Sequence, residues 1–290
     1  MNILITGAGG QLGCTFRDAI EGCEHAFFLT DVVSASDGIM QLDITSPDAV
    51  SKFLDTNHIA VIINCAGYTD VERAESDEDT AFEVNAHAVG VLADVAAKRN
   101  ITLIHISTDY VFDGTASEPY GEDAEPAPLS AYGRSKLAGE LAVLASGCPH
   151  FIIRTSWLFS VHGKNFVKTI LNKSAELHVM KVVSDQIGTP TYAGDLVEFI
   201  LQLLEPENIT KTGIYNFTNE GVCSWYDLAY AVCAASGNLC EILPCKTGEY
   251  PVRAARPHYS VLDKSKVKAV FGVAIPHWTD SLAHCLSNLI

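Results

Sequence analysis

Three side chains in this sequence have the types and spacing for one kind of chemistry. Tyr132 and Lys136 stand four residues apart in Tyr132-Gly133-Arg134-Ser135-Lys136, at the start of a helix predicted over 131–145. Residues four apart on a helix share a face. Thr108 follows a strand predicted over 101–106 that runs on into Ser107-Thr108-Asp109. A carbonyl that accepts hydride becomes an alkoxide. It then needs a proton, and a hydrogen bond to the oxygen as charge develops. A phenol of pKa ~10 is a reluctant acid–base group at neutral pH. The Lys136 ammonium would favour the phenolate of Tyr132 and could also hold a ribose. Thr108 would donate the stabilising hydrogen bond. Alone, Tyr-x-x-x-Lys usually marks a solvated helix face, and a strand-end threonine usually bonds local backbone. Their place downstream of a nucleotide-binding turn changes the odds.

That turn is Thr6-Gly7-Ala8-Gly9-Gly10-Gln11-Leu12-Gly13, between a predicted strand (2–6) and a predicted helix. Gly7 allows a tight turn. Gly10 removes a side chain where a pyrophosphate must approach the backbone, and Gly13 lets the helix pack close to the sheet. The helix N-terminus, with Gln11 and Leu12, then offers free N–H groups to phosphate. Asp31 stands 18 residues beyond Gly13, at the end of the second strand. A carboxylate there binds both ribose hydroxyls of NAD and repels a 2′-phosphate. The turn holds no Arg or Lys to neutralise such a phosphate. The cofactor expected is therefore NADH or NADPH, with NADH preferred. The bland reading of Asp31 is a turn or helix cap. Asp43 and Ile44 follow a further short strand-like run and are candidates for the adenine end. Ala66, Gly67 and Tyr68 follow a third strand beside the same crevice and are candidates to lie along the cofactor.

The elements that must position these groups alternate. Apolar runs at 2–6, 26–30, 59–63, 101–106 and 151–154 read as buried strands, and helical stripes lie between them, including a long helix over 82–97. Thr45-Ser46-Pro47 reads as a helix cap with proline at the first helical position. Continuous apolar strands separated by helices predict a parallel sheet covered on both faces, an α/β doubly wound fold. Beyond residue 160 the rhythm weakens and Gly and Pro punctuate the chain. The expected organisation is a dinucleotide-binding Rossmann domain over 1–160 and a smaller C-terminal mixed α/β substrate domain over 161–290. The stretch 182–204 is a candidate to pack back on the first.

Composition narrows the function. The chain has 290 residues, 48% hydrophobic and 19% charged, which excludes a mainly disordered chain. Net charge is 19 − 35 = −16, a surface that repels nucleic acid and anionic lipid. The first hundred residues hold 5 basic and 16 acidic groups, the last ninety 7 and 8, so an anionic substrate would be received by the later part of the chain. No apolar run approaches the ~20 residues of a membrane span. The opening Met-Asn-Ile-Leu-Ile-Thr does not read as a signal peptide, so the cytoplasm is expected. Nine cysteines form no Cys-x-x-Cys and read as free thiols, and the ten histidines form no ligand cluster, so no metal is expected.

With these motifs in view, a resemblance is plain. Thr6–Gly13, Ser107–Gly114 and Tyr132–Lys136 resemble the extended short-chain dehydrogenase/reductase family. Gly10–Gly13, Ser107-Thr108-Asp109-Tyr110-Val111-Phe112-Asp113-Gly114, the run from Tyr132 to Glu140, Arg154-Thr155-Ser156-Trp157, the run from Asp185 to Thr191 and Ala255-Arg256-Pro257 look like its dTDP-4-dehydrorhamnose reductases, over residues 1 to about 280. The resemblance implies hydride delivery from NAD(P)H to C4 of dTDP-4-dehydro-β-L-rhamnose, for cell-surface polysaccharide supply. It implies a Thr108, Tyr132, Lys136 triad. It places Asp109, Tyr110 and Trp157 near the sugar, Asn85 as a structural and proton-relay residue, and Arg256 at the diphosphate; Trp157 could equally be a core aromatic and Arg256 a surface ion-pair partner. The partner is a small sugar nucleotide, and a homodimer is allowed for. Some members carry a divalent cation at a subunit contact; Thr15 and Phe16 in the first helix offer no clear acidic ligand, so the metal is not carried over. Related dehydratases place Asp-Glu after the catalytic Thr, whereas Thr108 is followed by Asp109-Tyr110. Two other readings stay open: a reductase of another nucleotide-linked 4-keto sugar, and a non-catalytic regulatory subunit.

Overall fold

Ile3, Leu4 and Ile5 have no exposed surface, and they open the chain as β1 (Asn2–Thr6). α1 (Gln11–Ala19), β2 (Ala26–Asp31), β3 (Met40–Gln41), α2 (Pro47–Asn57) and β4 (Val61–Asn64) follow. Ser46 caps α2 by accepting from the Ala49 N–H, with Pro47 inside the first turn, as expected from the sequence. The structure is a computed structural model and describes residues 1–33, 38–250 and 253–289.

Next come α3 (Val71–Ala74), α4 (Glu78–Phe82), a π-helical turn (Glu83–His87), α5 (Ala88–Ala97), β5 (Thr102–Thr108), α6 (Ala131–Ser146) and β6 (His150–Thr155). The single helix expected over 82–97 is thus interrupted. The π-turn carries Asn85 inward, and apolar periodicity does not report such an insertion. α6 starts on Ser130, whose hydroxyl accepts from the Gly133 N–H, and ends at Gly147 in the left-handed region.

The remaining elements are β7 (Leu158–Phe159), α7 (Phe166–Glu176), β8 (Val179–Val183), β9 (Ile187–Gly188), β10 (Thr191–Tyr192), α8 (Ala193–Gln202), β11 (Gly213–Asn216), β12 (Cys223–Ser224), α9 (Trp225–Ser236), β13 (Glu241–Cys245), α10 (Ser265–Phe271) and α11 (Trp278–Ser287). Seven strands form one sheet in the order β11-β6-β5-β4-β1-β2-β3, and every pairing is parallel. The order reverses between β1 and β4, so a crevice opens at the carboxyl ends of those strands.

One face of the sheet packs on α1, α8 and α10, where Phe16, Leu196, Phe199, Ile200 and Phe271 join β1, β4 and β6. The other face packs on α2, α5 and α6 through Val50, Leu54, Val89, Leu92 and Val143. Residues beyond 160 therefore contribute to the first core as well: α8 lies on it and β11 closes the sheet edge. A second core joins α7, α9 and α11 to the parallel pair β8–β13 through Val167, Ile170, Leu228, Val232 and Leu282. The nine cysteines are free. No helix among the described residues is long and apolar enough to cross a membrane.

The π-turn and α6 touch with almost no room. A Cβ on Gly139 would stand 2.1 Å from the Asn85 carbonyl oxygen. Alanine is the better helix former by about 1 kcal/mol, but overpacking here costs about 1–3 kcal/mol. Gly139→Ala is expected to unfold at lower denaturant concentration. An unchanged or higher midpoint would show that α6 lifts off the turn at no cost.

Candidate active site

The first glycine turn is built as an anion cradle. Gly7 has φ +67°, and a Cβ on it would meet Ala66 N at 2.6 Å. A Cβ on Gly13 would meet the Gly7 carbonyl at 2.3 Å, so this glycine serves helix–turn packing and not the ligand. Gly10 is exposed and precedes α1, which begins with no side-chain cap and no acid in its first turn. Its first N–H groups are left for a ligand, and the positive helix end favours phosphate. The cradle therefore fits a pyrophosphate.

A cavity of about 260 Å³ continues from this turn, lined by Gly7, Gly10, Asp31, Asp43, Ile44 and Ala66, among others. Asp31 Oδ2 accepts from the Gly9 N–H at 3.0 Å, so the expected ribose-binding carboxylate also braces the turn. Asp43 accepts from the Thr45 N–H and hydroxyl, which hold its carboxyl below the usual carboxylate range. It is both a loop brace and a wall of the cavity.

A second cavity, about 440 Å³, shares Gly10, Cys65, Ala66 and Gly67 with the first. Gln11 and Leu12 line it too, and Gln11 is tied across the cleft by donating to the Leu158 carbonyl at 3.1 Å. Thr108, Asp109, Tyr110, Tyr132, Lys136, Trp157 and Arg256 converge here. Parallel register delivers the end of β5 to this edge, and α6 presents Tyr132 and Lys136 one turn apart.

Thr108 lines the same cavity as Tyr132, and Tyr110 packs edge-on against the Tyr132 ring at 5.6 Å. Burial pushes the Tyr132 phenol up to about 12, with the neighbouring Thr108 hydroxyl acting in the opposite sense. Lys136 is 5% exposed and donates to the Ile106 carbonyl at 2.6 Å; its Nζ is 3.5 Å from His105 Nε2. Burial pulls its ammonium down to about 8, opposed by the Glu140 carboxylate and Cys65. The sequence reading had Lys136 lowering the pKa of Tyr132. In this structure the ammonium is committed to the strand carbonyl, and the groups acting on the phenol are Thr108 and Asp109.

Asp109 is 1% exposed, accepts from the Thr108 hydroxyl, and burial pushes it up to about 7. Among the described residues its Oδ2 has no partner. Arg256 is bonded through Nη2 to Glu72 at 2.8 Å, while its buried Nε has no partner among the described residues. Two unspent polar groups thus stand in the wall of one cavity.

Two candidates lie behind that wall. Asn85 is fully buried; its carbonyl accepts from the Tyr68 N–H, and its amide donates to the Tyr68 carbonyl and the Ser135 hydroxyl. It thereby fixes the loop after β4 against α6. The Tyr68 hydroxyl donates to Asp77 and does not line either cavity. Sequence reasoning missed Glu72, Lys164 and Trp225. Charge could have flagged the first two; nothing in the spacing brings Trp225 to Trp157.

A third cavity, about 730 Å³, adjoins the second and shares Lys164, Trp225 and Arg256 with it. Lys173 and Lys181 also line it.

A parallel sheet with a glycine turn at β1 and a Tyr–Lys–Thr cluster after β5 and on α6 defines the short-chain dehydrogenase/reductase class of α/β protein. The chain belongs to the RmlD substrate binding domain family, whose model matches residues 1–290. It is 39% identical, over 97% of its length and 96% of the relative's, to the dTDP-4-dehydrorhamnose reductase of Aggregatibacter actinomycetemcomitans. The crystal structure of a dTDP-4-dehydrorhamnose reductase from Clostridium acetobutylicum superposes with a TM-score of 0.93 at 40% identity, covering 100% of this chain and 99% of that one. That of the Bacillus anthracis enzyme, in complex with NADP, superposes with a TM-score of 0.91 at 34% identity and the same coverage.

The buried lysine makes stability depend on pH. Its folded pKa of about 8 lies below the ordinary 10.5, so between these values the unfolded chain binds more protons. Stability then rises with pH across that window and is lowest below it. Compared with Lys136→Met, the parent chain is expected to gain on the order of 3 kcal/mol between pH 7 and 10.5. Denaturant titrations of both chains at several pH values check this. A pH-independent difference would mean that the ammonium carries no burial penalty.

Proposed function

We propose that this chain reduces the C4 keto group of dTDP-4-dehydro-β-L-rhamnose to dTDP-β-L-rhamnose, using NAD(P)H. The observation that carries the reading is the continuity of two cavities. One holds the glycine cradle and Asp31; the other holds Thr108, Tyr132 and Lys136. The full-length likeness to named reductases of this substrate supports it.

A nicotinamide dinucleotide bound on the cradle supplies the hydride. The rest is the work of this chain's side chains. Thr108 donates to the carbonyl oxygen as it gains charge. Tyr132 gives its proton to that oxygen. A phenol held at about 12 is fully protonated at neutral pH, so it is loaded for the reductive direction. Lys136, charged below about pH 8, holds the ribose of the bound dinucleotide. Asp109 and Tyr110 face the sugar. Arg256, with Lys164, receives the diphosphate near the third cavity. In this reading the nucleotide-binding unit is built on residues 1–160, and the substrate unit is drawn from 161–290.

Asp31 supports NADH as the preferred cofactor, because its carboxylate would face the 2′-phosphate of NADPH. The Bacillus anthracis relative binds NADP, so the preference is a matter of degree. Asp31→Ala is expected to raise KM for NADH and to lower KM for NADPH. A parent chain with the lower KM for NADPH would overturn the preference.

The reaction itself is tested by NADH oxidation against a panel of 4-keto sugar nucleotides. Turnover is expected with the dTDP-4-dehydrorhamnose substrate. Oxidation with a different sugar nucleotide alone would favour the other reductase reading, and none at all would favour a binding subunit. Tyr132→Phe is expected to lose activity by about two to four orders of magnitude while still binding NADH. Near-normal turnover would remove Tyr132 from the proton step.

A further inference from the structure

We propose that Trp225 is a positioning and specificity-determining residue for the sugar nucleotide, acting by holding Trp157 against the reaction centre and dividing the two larger cavities. The inference rests on the reductase reading above and goes beyond it to a residue on α9.

Trp157 has φ +48°, in the left-handed region. A bulky residue there is strained and persists only where its surroundings over-determine it. Two neighbours do so. The Trp225 indole lies parallel to that of Trp157, with ring centroids 3.6 Å apart and 11° between planes. Gly188 backs the indole: a Cβ there would stand 2.8 Å from its Cε2 and Cζ2. Phe166 in turn leans on Trp225 at 4.6 Å.

Trp225 is itself well anchored. It is the first residue of α9, entered through a capping box in which the Ser224 hydroxyl accepts from the Asp227 N–H and the Asp227 carboxylate accepts from the Ser224 N–H. Trp157 comes from the segment between β6 and β7, and both indoles pack against the second core.

Both indoles line the cavity of Tyr132, but of the two only Trp225 lines the third cavity. A ligand with a hexose at Tyr132 and a nucleoside diphosphate beyond Arg256 must pass the edge of this pair. The flat ring face offers apolar contact to the C–H groups of a sugar, and its far side bounds the nucleotide. Loosening Trp225 should release the strained Trp157 and misplace the hexose, with the cofactor cradle untouched.

The test uses the full chain. Stacked indoles give an exciton couplet in far-ultraviolet circular dichroism; the third tryptophan, Trp278, pairs with His277 instead. The parent chain should show the couplet, and Trp225→Phe and Trp225→Leu should both lose it. With dTDP-4-dehydrorhamnose, Trp225→Leu should raise KM by about tenfold, with a smaller change in kcat and KM for NADH within about twofold. Trp225→Phe, which keeps an aromatic face, should recover most of that loss. A parent chain without the couplet, or an unmoved sugar-nucleotide KM in Trp225→Leu, overturns the assignment while leaving the reductase reading standing. A parent chain that turns over no 4-keto sugar nucleotide overturns the reductase reading, and this assignment falls with it.

Discussion

Helix α6 must lie almost in contact with β5 and with the turn after it, and the reaction centre depends on that closeness. Two glycines make it possible. A Cβ on Gly133 would stand 2.3 Å from the Tyr110 carbonyl, and one on Gly139 would stand 2.1 Å from that of Asn85. With the helix so close, Lys136 reaches the Ile106 carbonyl, Ser135 meets Asn85, and Glu140 accepts from Arg154 and Ser107. Tyr132 is left at the open end beside Thr108. A larger residue at either glycine would tilt the helix and move every one of these atoms together.

The same closeness sets the electrostatics. The Arg154–Glu140 pair is completely buried, and such a pair holds only while every donor and acceptor is used. The Glu140 carboxylate is spent on Arg154 and Ser107, yet its charge still favours the Lys136 ammonium one turn away. A buried lysine without it would lie closer to neutrality. The cluster deep in the sheet therefore favours the charged form of Lys136. Groups facing the cavity are left underused instead: among the described residues Asp109 Oδ2 and Arg256 Nε have no partner.

The parallel sheet, the glycine turn and the Tyr132–Lys136 pair were legible in the sequence because each rests on a short period or a local spacing. The π-turn was not: a run of helix-forming residues reads the same whether one turn is wound as α or π, and only the packing against α6 shows Asn85 buried there. Tyr68 was read as cofactor-facing because its neighbours in the chain line the crevice, and only the tertiary packing shows its hydroxyl turned to Asp77 and its backbone held by the Asn85 side chain. The contribution of α8 and β11 to the first core is equally non-local. Gln11 was expected to serve a phosphate through its backbone; its side chain was free in sequence and is tied to Leu158 in space.

Charge is where sequence and structure meet most directly. The chain carries −16, and most of that lies in its first hundred residues. Yet a diphosphate is the ligand that the reductase reading brings to it. The later segments resolve the conflict locally. Lys164, Lys173, Lys181 and Arg256 line the third cavity, against Asp70 and Glu72 on its rim. At physiological ionic strength, charges are screened beyond about 8 Å, so the acidic surface elsewhere contributes little inside this mouth. Glu72 is the exception, being bonded to Arg256 itself. It holds the Arg256 guanidinium in place, and in the reductase reading it is the anion that an incoming diphosphate must outcompete. A protein with this much negative charge can therefore take up an anionic substrate, because a few cations at the entrance outweigh many carboxylates that are too far away to be felt.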